Sequence, residues 1–112
     1  MNAVPTDAPV LELEDSWEAI NEWFLAHDLT DGLPIVPPTL ERVAAMTDFA
    51  SRTLGWQAAD VIGTLAPKQG IATVEKIAAN AVMAGCKPEY MPVLLACVQG
   101  VAAPKFNLDA VQ

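Results

Sequence analysis

The sequence predicts a mainly α-helical fold with a minor β element, an α+β class of about four helices and one short strand near residues 60–66. Apolar residues recur at helical spacing, capping residues stand where helices would begin, and one β-branched run has the length of a strand. The chain has 112 residues, of which 53% are hydrophobic. This length fits one compact domain, and this composition excludes a disordered chain.

The first helix is predicted over residues 16–27, behind an extended acidic arm at residues 1–15. Two prolines and small side chains favour an extended arm. Asp15 is the candidate N-cap, and Glu18 three residues later completes a capping box. The apolar residues at helical spacing are Leu13, Trp17, Ile20 and Phe24. We therefore expect a single helical domain or subunit over residues 16–112.

An extended loop, a short second helix and the strand come next. Asp31-Gly32 marks a tight turn, and the prolines that follow favour an extended path. Thr39 then caps a short helix. The apolar residues of that helix are Leu40, Val43 and Met46. The β-branched run at residues 60–66 predicts the strand, which the turn residues 67–70 end.

The last two helices are predicted to be largely buried. Thr73 caps the third helix, which runs to about Ala84, and the fourth covers roughly residues 88–102. Neither has a convincing polar face, and a helix that is apolar all round is buried all round. A free domain of this size buries only about two-thirds of its unfolded surface. We therefore expect other protein to cover these helices, in an oligomer or in a longer polypeptide, with a monomeric helical domain as the alternative.

The negative charge is confined to the front of the chain. Residues 1–31 hold eight of the 14 acidic residues and no Lys or Arg, so the other residues are balanced and the net charge is −8. We interpret the acidic front as a solvated face, with an acidic docking arm as the alternative. The acidity argues against nucleic acid and anionic membranes as partners. No secretory signal and no membrane span are visible, so we expect a cytoplasmic protein with reduced cysteines.

A few polar residues are candidates for chemistry. Asn80 lies among alanines in a predicted buried helix, where it would bond the Asp31–Pro38 backbone or face a ligand pocket. Lys68 precedes a helix N-terminus and can hold an anion, with a plain surface connection as the alternative. Asp31 is either a turn-former or a site acid. Cys86 lies beside Lys87, whose charge favours a thiolate, although a structural role is the alternative.

The remaining candidates have structural interpretations. Cys97 is expected in the core, and His27 is expected to cap a helix C-terminus. The two cysteines match neither a zinc nor a thioredoxin pattern, so the sequence predicts no metal site and indicates no particular cofactor. No complete active site is identifiable from these residues alone.

Two segments resemble a known family. The stretches DGLPIVPPTLERVAAM (Asp31–Met46) and ATVEKIAANAVMAGCKPEYMPVLLACVQ (Ala72–Gln99) are similar to the N-terminal region of the bacterial UGSC-motif proteins, as is FNLDAVQ (Phe106–Gln112). The resemblance covers roughly residues 16–112. The Sec/Cys-Gly-Ser-Cys motif that names the family lies downstream in those longer proteins and is absent here, so its redox residues carry over to no position of this chain.

The resemblance implies the small, alpha-type subunit of a heteromeric bacterial enzyme that acts on a small molecule. A larger partner subunit would supply most catalytic residues, and this chain would come from its own gene or from cleavage of a longer precursor after Gln112. The reaction class stays open between thiol-dependent redox or lyase chemistry and an N-terminal-nucleophile hydrolase.

The enzyme hypothesis assigns six residues of this chain to a shared site. The catalytic candidates are Glu89, Tyr90 and Cys86, and the substrate-binding candidates are Asp31, Lys68 and Asn80. Glu89 and Tyr90 would donate hydrogen bonds or transfer protons. The alternative is a non-catalytic interaction or scaffolding module that docks its apolar helices on a partner. Both hypotheses predict a hetero-oligomer.

Overall fold

A computed structural model describes residues 9–65 and 70–103 and confirms a mainly helical α+β fold. The described part contains four α-helices, one short 3-10 helix and one two-stranded sheet. The elements in chain order are α1 (Trp17–Ala26), α2 (Leu40–Leu54), β1 (Val61–Leu65), β2 (Gly70–Thr73), α3 (Val74–Met83), the 3-10 helix (Pro88–Tyr90) and α4 (Met91–Ala102). Lys68 and the tail at 105–112 with Gln112 lie outside the described residues, so predictions for them stay predictions.

The N-cap of α1 is Ser16 and not Asp15. The Ser16 hydroxyl accepts a hydrogen bond from the Ala19 amide at 3.2 Å, as an N-cap side chain does for the third helical residue. The Ser16 hydroxyl donates to the Glu18 carboxylate at 3.2 Å, and Glu18 lies in the first turn of the helix. The capping prediction was therefore one residue early, while the helix itself is confirmed. Residues 9–15 form neither helix nor strand.

The second helix begins as predicted and runs further. The Thr39 hydroxyl accepts from the Arg42 amide at 3.2 Å. The helix continues to Leu54 and ends at Gly55, whose φ of 77° is the left-handed conformation that glycine adopts at little cost. Met46 and Ala50 are buried on its inner face. Packing therefore maintains the helix through residues 48–54, where the sequence pattern is mixed.

The predicted strand is confirmed as β1, and it pairs with a second strand that the sequence pattern did not predict. β2 runs antiparallel to β1, with Thr64 opposite Ile71 and Leu65 opposite Gly70. A bulge lies between Val61 and Gly63. β1 ends at Leu65, ahead of residues 67–70, as expected. The sequence pattern showed no sign of β2 because a four-residue strand has little pattern of its own. Its hydrogen bonds to β1 define it.

The last two helices supply most of the core. Of the eight residues in the main buried cluster, six come from α3 and α4. The cluster is Met46, Ala50, Val74, Ala78, Ala81, Val82, Met91 and Leu95. Each side chain of this kind contributes roughly 1.5–3 kcal/mol when fully buried, with less for alanine. The helices therefore form the centre of the fold, as their apolar sequences predict.

Both helices nevertheless keep an exposed face. On α3, Lys76 and Asn80 are exposed and lie one turn apart, so this helix has a polar stripe that its apolar composition did not predict. On α4, Val93 is 66% exposed, and Cys97 is exposed where it was expected in the core. The difference arises because the two paired strands, which we call the hairpin, and α2 cover only one side of these helices.

Candidate functional site

A cleft with apolar walls lies between the β-hairpin, α3 and α4. Its volume is about 550 Å³, within the roughly 300–1,000 Å³ range of small-molecule sites. We call it the hairpin cleft. Its walls are Leu65, Gly70, Ile71 and Ala72 from the hairpin, Lys76, Ile77, Asn80 and Ala81 from α3, the C-cap residue Ala84, and Cys86, Leu94, Cys97 and Val98.

The cleft forms because two helices present matching small and apolar faces to it. Ile77, Ala81 and the C-cap residue Ala84 recur at helical spacing along α3, and Leu94, Cys97 and Val98 do so on α4. Alanine at two of the three positions along α3 leaves space that larger side chains would fill. The hairpin closes one end because β2 leads directly into α3.

Cys86 is placed in the cleft by the turn that ends α3. Its amide donates to the Ala81 carbonyl at 2.9 Å, and the Gly85 amide donates to the Val82 carbonyl at 2.9 Å. This pair of bonds is a Schellman motif, and Gly85 has the positive φ of 83° that the motif requires. Cys86 is half-buried, lines the cleft and forms no disulfide.

Lys76 and Asn80 supply the polar edge of the cleft. The Lys76 ammonium donates to the Ile71 carbonyl at 3.3 Å, and the Asn80 side-chain amide donates to the Lys76 carbonyl at 2.8 Å. Both bonds are local and exposed. Asn80 lines the hairpin cleft and is exposed, so the expectation that it is buried was wrong.

The loop that Asn80 was expected to bond is held by Asn21 instead. The Asn21 side-chain oxygen Oδ1 accepts from the Ile35 amide at 2.7 Å, and the side-chain nitrogen Nδ2 donates to the Ile35 carbonyl at 3.3 Å. The side-chain amide of Asn21 thus bonds both the amide and the carbonyl of Ile35, as a neighbouring strand would, and it joins α1 to the loop. The Val36 amide completes the attachment by donating to the Met83 carbonyl at 3.1 Å.

Three predicted site residues line neither the cleft nor the second cavity described below. Asp31 accepts the Leu33 amide at 3.1 Å, which is the turn-forming alternative. Glu89 and Tyr90 are exposed on the 3-10 helix. The structure thus brings Cys86 and Asn80 to one cleft and leaves Asp31, Glu89 and Tyr90 apart from it.

Two residues that the sequence pattern did not assign to a site lie in the cleft. Lys76 precedes Asn80 by one helical turn, a spacing that was available as a signal. Cys97 was assigned to the core, and yet it shares the cleft with Cys86. Its position depends on which face of α4 the hairpin covers. Because α4 is apolar on all sides, its sequence does not indicate which face that is.

His27 has the capping role that the sequence predicts. It is the C-cap of α1, and its Nδ1 lies 2.8 Å from the Trp23 carbonyl oxygen. Because a carbonyl oxygen only accepts, Nδ1 donates in this bond. The imidazole also stacks on the Trp23 ring, with centroids 3.9 Å apart. These contacts occupy His27 at the helix end.

A second cavity lies between α1, α2 and the segment that precedes α1. Its volume is about 490 Å³, and it shares no lining residue with the hairpin cleft. We call it the α1–α2 groove. Its walls include Leu11, Leu13 and Asp15 from the segment, Ile20 and Phe24 from α1, Leu40, Val43, Ala44 and Thr47 from α2, and Glu75 and Ala79 from α3.

Within residues 9–65 and 70–103, no group of three or more His, Cys, Asp or Glu side chains is arranged to hold a metal ion. In the same residues, no helix has both the length and the apolar character that a membrane crossing needs.

Comparison with protein-family models, with curated proteins and with solved structures found no match for this chain.

Proposed function

We propose that this chain is the small subunit of a heteromeric bacterial enzyme that acts on a small molecule, with a partner chain supplying most of the catalytic residues. The hairpin cleft supports this proposal most directly. It has the volume of a small-molecule site, apolar walls, and a thiol, a lysine and an amide at its edge. Cys86, Lys76 and Asn80 are this chain's contribution to the shared site.

The partner is part of the proposal because the cleft holds no complete catalytic set. The described residues around it include no carboxylate and no histidine, so no general base accompanies the Cys86 thiol. The proposed relation to the UGSC-motif proteins, in which the named motif lies in a downstream region, agrees with a site divided between chains. The substrate would be partly apolar, with an anionic group at Lys76.

A non-catalytic interaction module is the second candidate, and one observation favours it. Large apolar side chains are exposed on several faces, among them Leu33 at 68% and Val93 at 66%. Where such side chains form a contiguous patch, they mark a site where another protein docks. In that case the partner would fill the hairpin cleft.

The two candidates differ in whether the cleft stays open in the complex. The chain is expressed with its neighbouring gene product, and the purified complex is treated with iodoacetamide. The enzyme proposal expects Cys86 to be alkylated within about threefold of its rate in the free chain, because a substrate-sized reagent still enters. Protection of Cys86 by more than about tenfold would favour the interaction module.

Turnover is then tested on a mixture of natural small molecules. The complex is incubated with a bacterial metabolite extract, and consumption of each compound is followed by mass spectrometry. Lys76→Ala and Cys86→Ser should lower the consumption rate by at least about tenfold while the complex persists. Arg52→Ala is the matched control, because Arg52 is an exposed cation that lines neither cavity. Equal consumption by all variants would overturn the enzyme proposal.

A further inference from the structure

The faces of three helices line half of the α1–α2 groove, and the segment before α1 and residues 37–39 line the rest. On α2, Leu40, Val43, Ala44 and Thr47 are spaced 3, 1 and 3 residues apart, so they form one continuous stripe. Ile20 and Phe24 on α1, like Glu75 and Ala79 on α3, are one turn apart on their helices. Ridges of this kind pack best against the side-chain ridges of another helix. The groove is therefore shaped for a helical occupant.

The charge around the groove specifies the occupant further. Among the described residues that line it, Asp15 and Glu75 are charged and none is Lys, Arg or His. Glu12, Glu14 and Glu18 are exposed next to it in the chain. The first basic residue of the whole sequence is Arg42, which lies outside the lining and donates to the Pro37 carbonyl at 3.0 Å. We call Asp15, Glu12, Glu14 and Glu18 the acidic rim. An occupant with Lys or Arg beside its apolar face would meet complementary charge on the acidic rim, and an acidic occupant would be repelled.

We infer that the α1–α2 groove is the docking site for a basic amphipathic helix of a partner protein. The helix would place its apolar face on Val43, Phe24 and Leu11, with its Lys and Arg side chains on the acidic rim, which is the helix-in-groove mode of recognition. The inference rests on the part of the proposed function that gives this chain a partner, and it does not depend on the enzyme activity. It also assigns the acidic front of the chain a docking role.

The inference is tested with two designed helical peptides of about 14 residues, long enough for three to four helical turns. They share leucines at the same i, i+3, i+4 and i+7 positions and differ in having lysine or glutamate elsewhere. Calorimetry on the full chain should show the lysine peptide binding at least about tenfold more tightly than the glutamate peptide. The affinity for the lysine peptide should fall about tenfold between 50 and 500 mM salt, since the contacts on the rim are exposed.

Matched variants separate the groove from general attraction between opposite charges. Leu11 and Leu33 are 57% and 68% exposed, and only Leu11 lines the groove. Leu11→Ser should weaken the lysine peptide about tenfold, and Leu33→Ser should leave it within twofold. Asp15→Asn should reduce the salt dependence, whereas Asp28→Asn should not, because Asp28 does not line the groove. Circular dichroism verifies that each variant is folded.

Three results would overturn the inference. Equal weakening by Leu11→Ser and Leu33→Ser would mean that the peptide binds by charge alone. Amide shifts that map the peptide to the hairpin cleft would place the interaction elsewhere. In the free chain, nuclear Overhauser contacts to the groove from residues 1–8, from residues 104–112 or from a second copy would assign the groove to this chain itself.

The outcome is distinguishable from failure of the proposed function. If the lysine peptide binds the groove but the complex with the neighbouring gene product consumes no metabolite, the docking inference stands and the enzyme proposal fails. The opposite result is an active complex in which Leu11→Ser changes neither the affinity of the chain for its partner nor its affinity for the lysine peptide. In that case the enzyme proposal stands and the docking inference fails.

Discussion

At the scale of single residues, the fold depends on a few positions where one residue contacts a distant segment of the chain. Gly63 lies at the bulge of β1, and a Cβ added there would lie 2.5 Å from the Cβ of Ala102 on α4. Asn21 joins α1 to the loop through Ile35. Neither role is visible in local sequence pattern, because each depends on a contact between distant segments.

Gly63→Ala should lower the free energy of unfolding by about 1–3 kcal/mol, because the new methyl group overlaps Ala102. Urea denaturation measures the change. Adding Ala102→Gly should recover part of the loss, and the double-mutant cycle gives the coupling. Gly100→Ala on the same helix meets nothing within 4 Å and should be neutral or stabilising by up to about 1 kcal/mol. Additive effects of Gly63→Ala and Ala102→Gly would contradict this contact.

Asn21→Ala should lower the free energy of unfolding by about 1–3 kcal/mol, because the Ile35 amide and carbonyl lose their partner. Hydrogen exchange at the Ile35 amide should accelerate in the same variant. Glu22→Ala serves as the control, since this neighbouring side chain is exposed, and it should stay within about 0.5 kcal/mol. Unchanged exchange at Ile35 would show that the loop is held by other contacts.

At the scale of elements, hydroxyl caps and one turn motif set the helix boundaries. Ser16, Thr39 and Thr73 each accept a bond from the amide three residues later. The Schellman turn after α3 fixes the exit of the chain at Cys86. The elements are therefore specified locally at their starts, and the functional candidate Cys86 depends on one such local motif.

Ser16→Ala should destabilise the protein by about 1 kcal/mol, because the Ala19 amide loses its cap. Asp15→Ala should change stability by no more than about 0.5 kcal/mol, since its carboxylate lies outside the cap and contributes at most a screened interaction with the helix dipole. Thermal and urea denaturation of both variants compare the two positions directly. A larger loss for Asp15→Ala would restore the capping box predicted from the sequence.

At the scale of the whole molecule, the main core cluster of the described residues lies among three of the four helices. It joins α2, α3 and α4, whereas α1 contributes only one buried residue, Phe24, which is 9% exposed and lies outside that cluster. The two cavities share no lining residue. The chain thus offers two separate binding surfaces, one proposed for a substrate and one for a partner helix.

Hydrogen exchange should divide the molecule in the same way. We expect amides of α3 and the centre of α2 to exchange at least about tenfold more slowly than those of α1, because α1 can open without exposing the main core cluster. Exchange measured by mass spectrometry on peptic fragments tests this. Equal protection of α1 and α3 would mean that the two unfold as one cooperative unit.

Much of the architecture was accessible from the sequence because its signals are local. The caps at Thr39 and Thr73, the helical spacing of α1 and the β-branched run of β1 each lie within a few residues of one another. The second strand was not accessible in this way, since β2 is defined by its pairing. The candidate site was found only in part, because Cys86 lies on a local turn while Cys97 depends on which face of α4 is covered.

Local signals in the sequence therefore specify the α+β class, most of the helix starts and the concentration of charge in residues 1–31. The packing of the folded chain, in contrast, decides that Lys76, Asn80, Cys86 and Cys97 share one cleft and that an apolar groove borders the acidic segment. The physical reason is that helical propensity and capping act over a few residues. Strand pairing, the covered face of an apolar helix and the space left by small side chains are set by residues far apart in the chain.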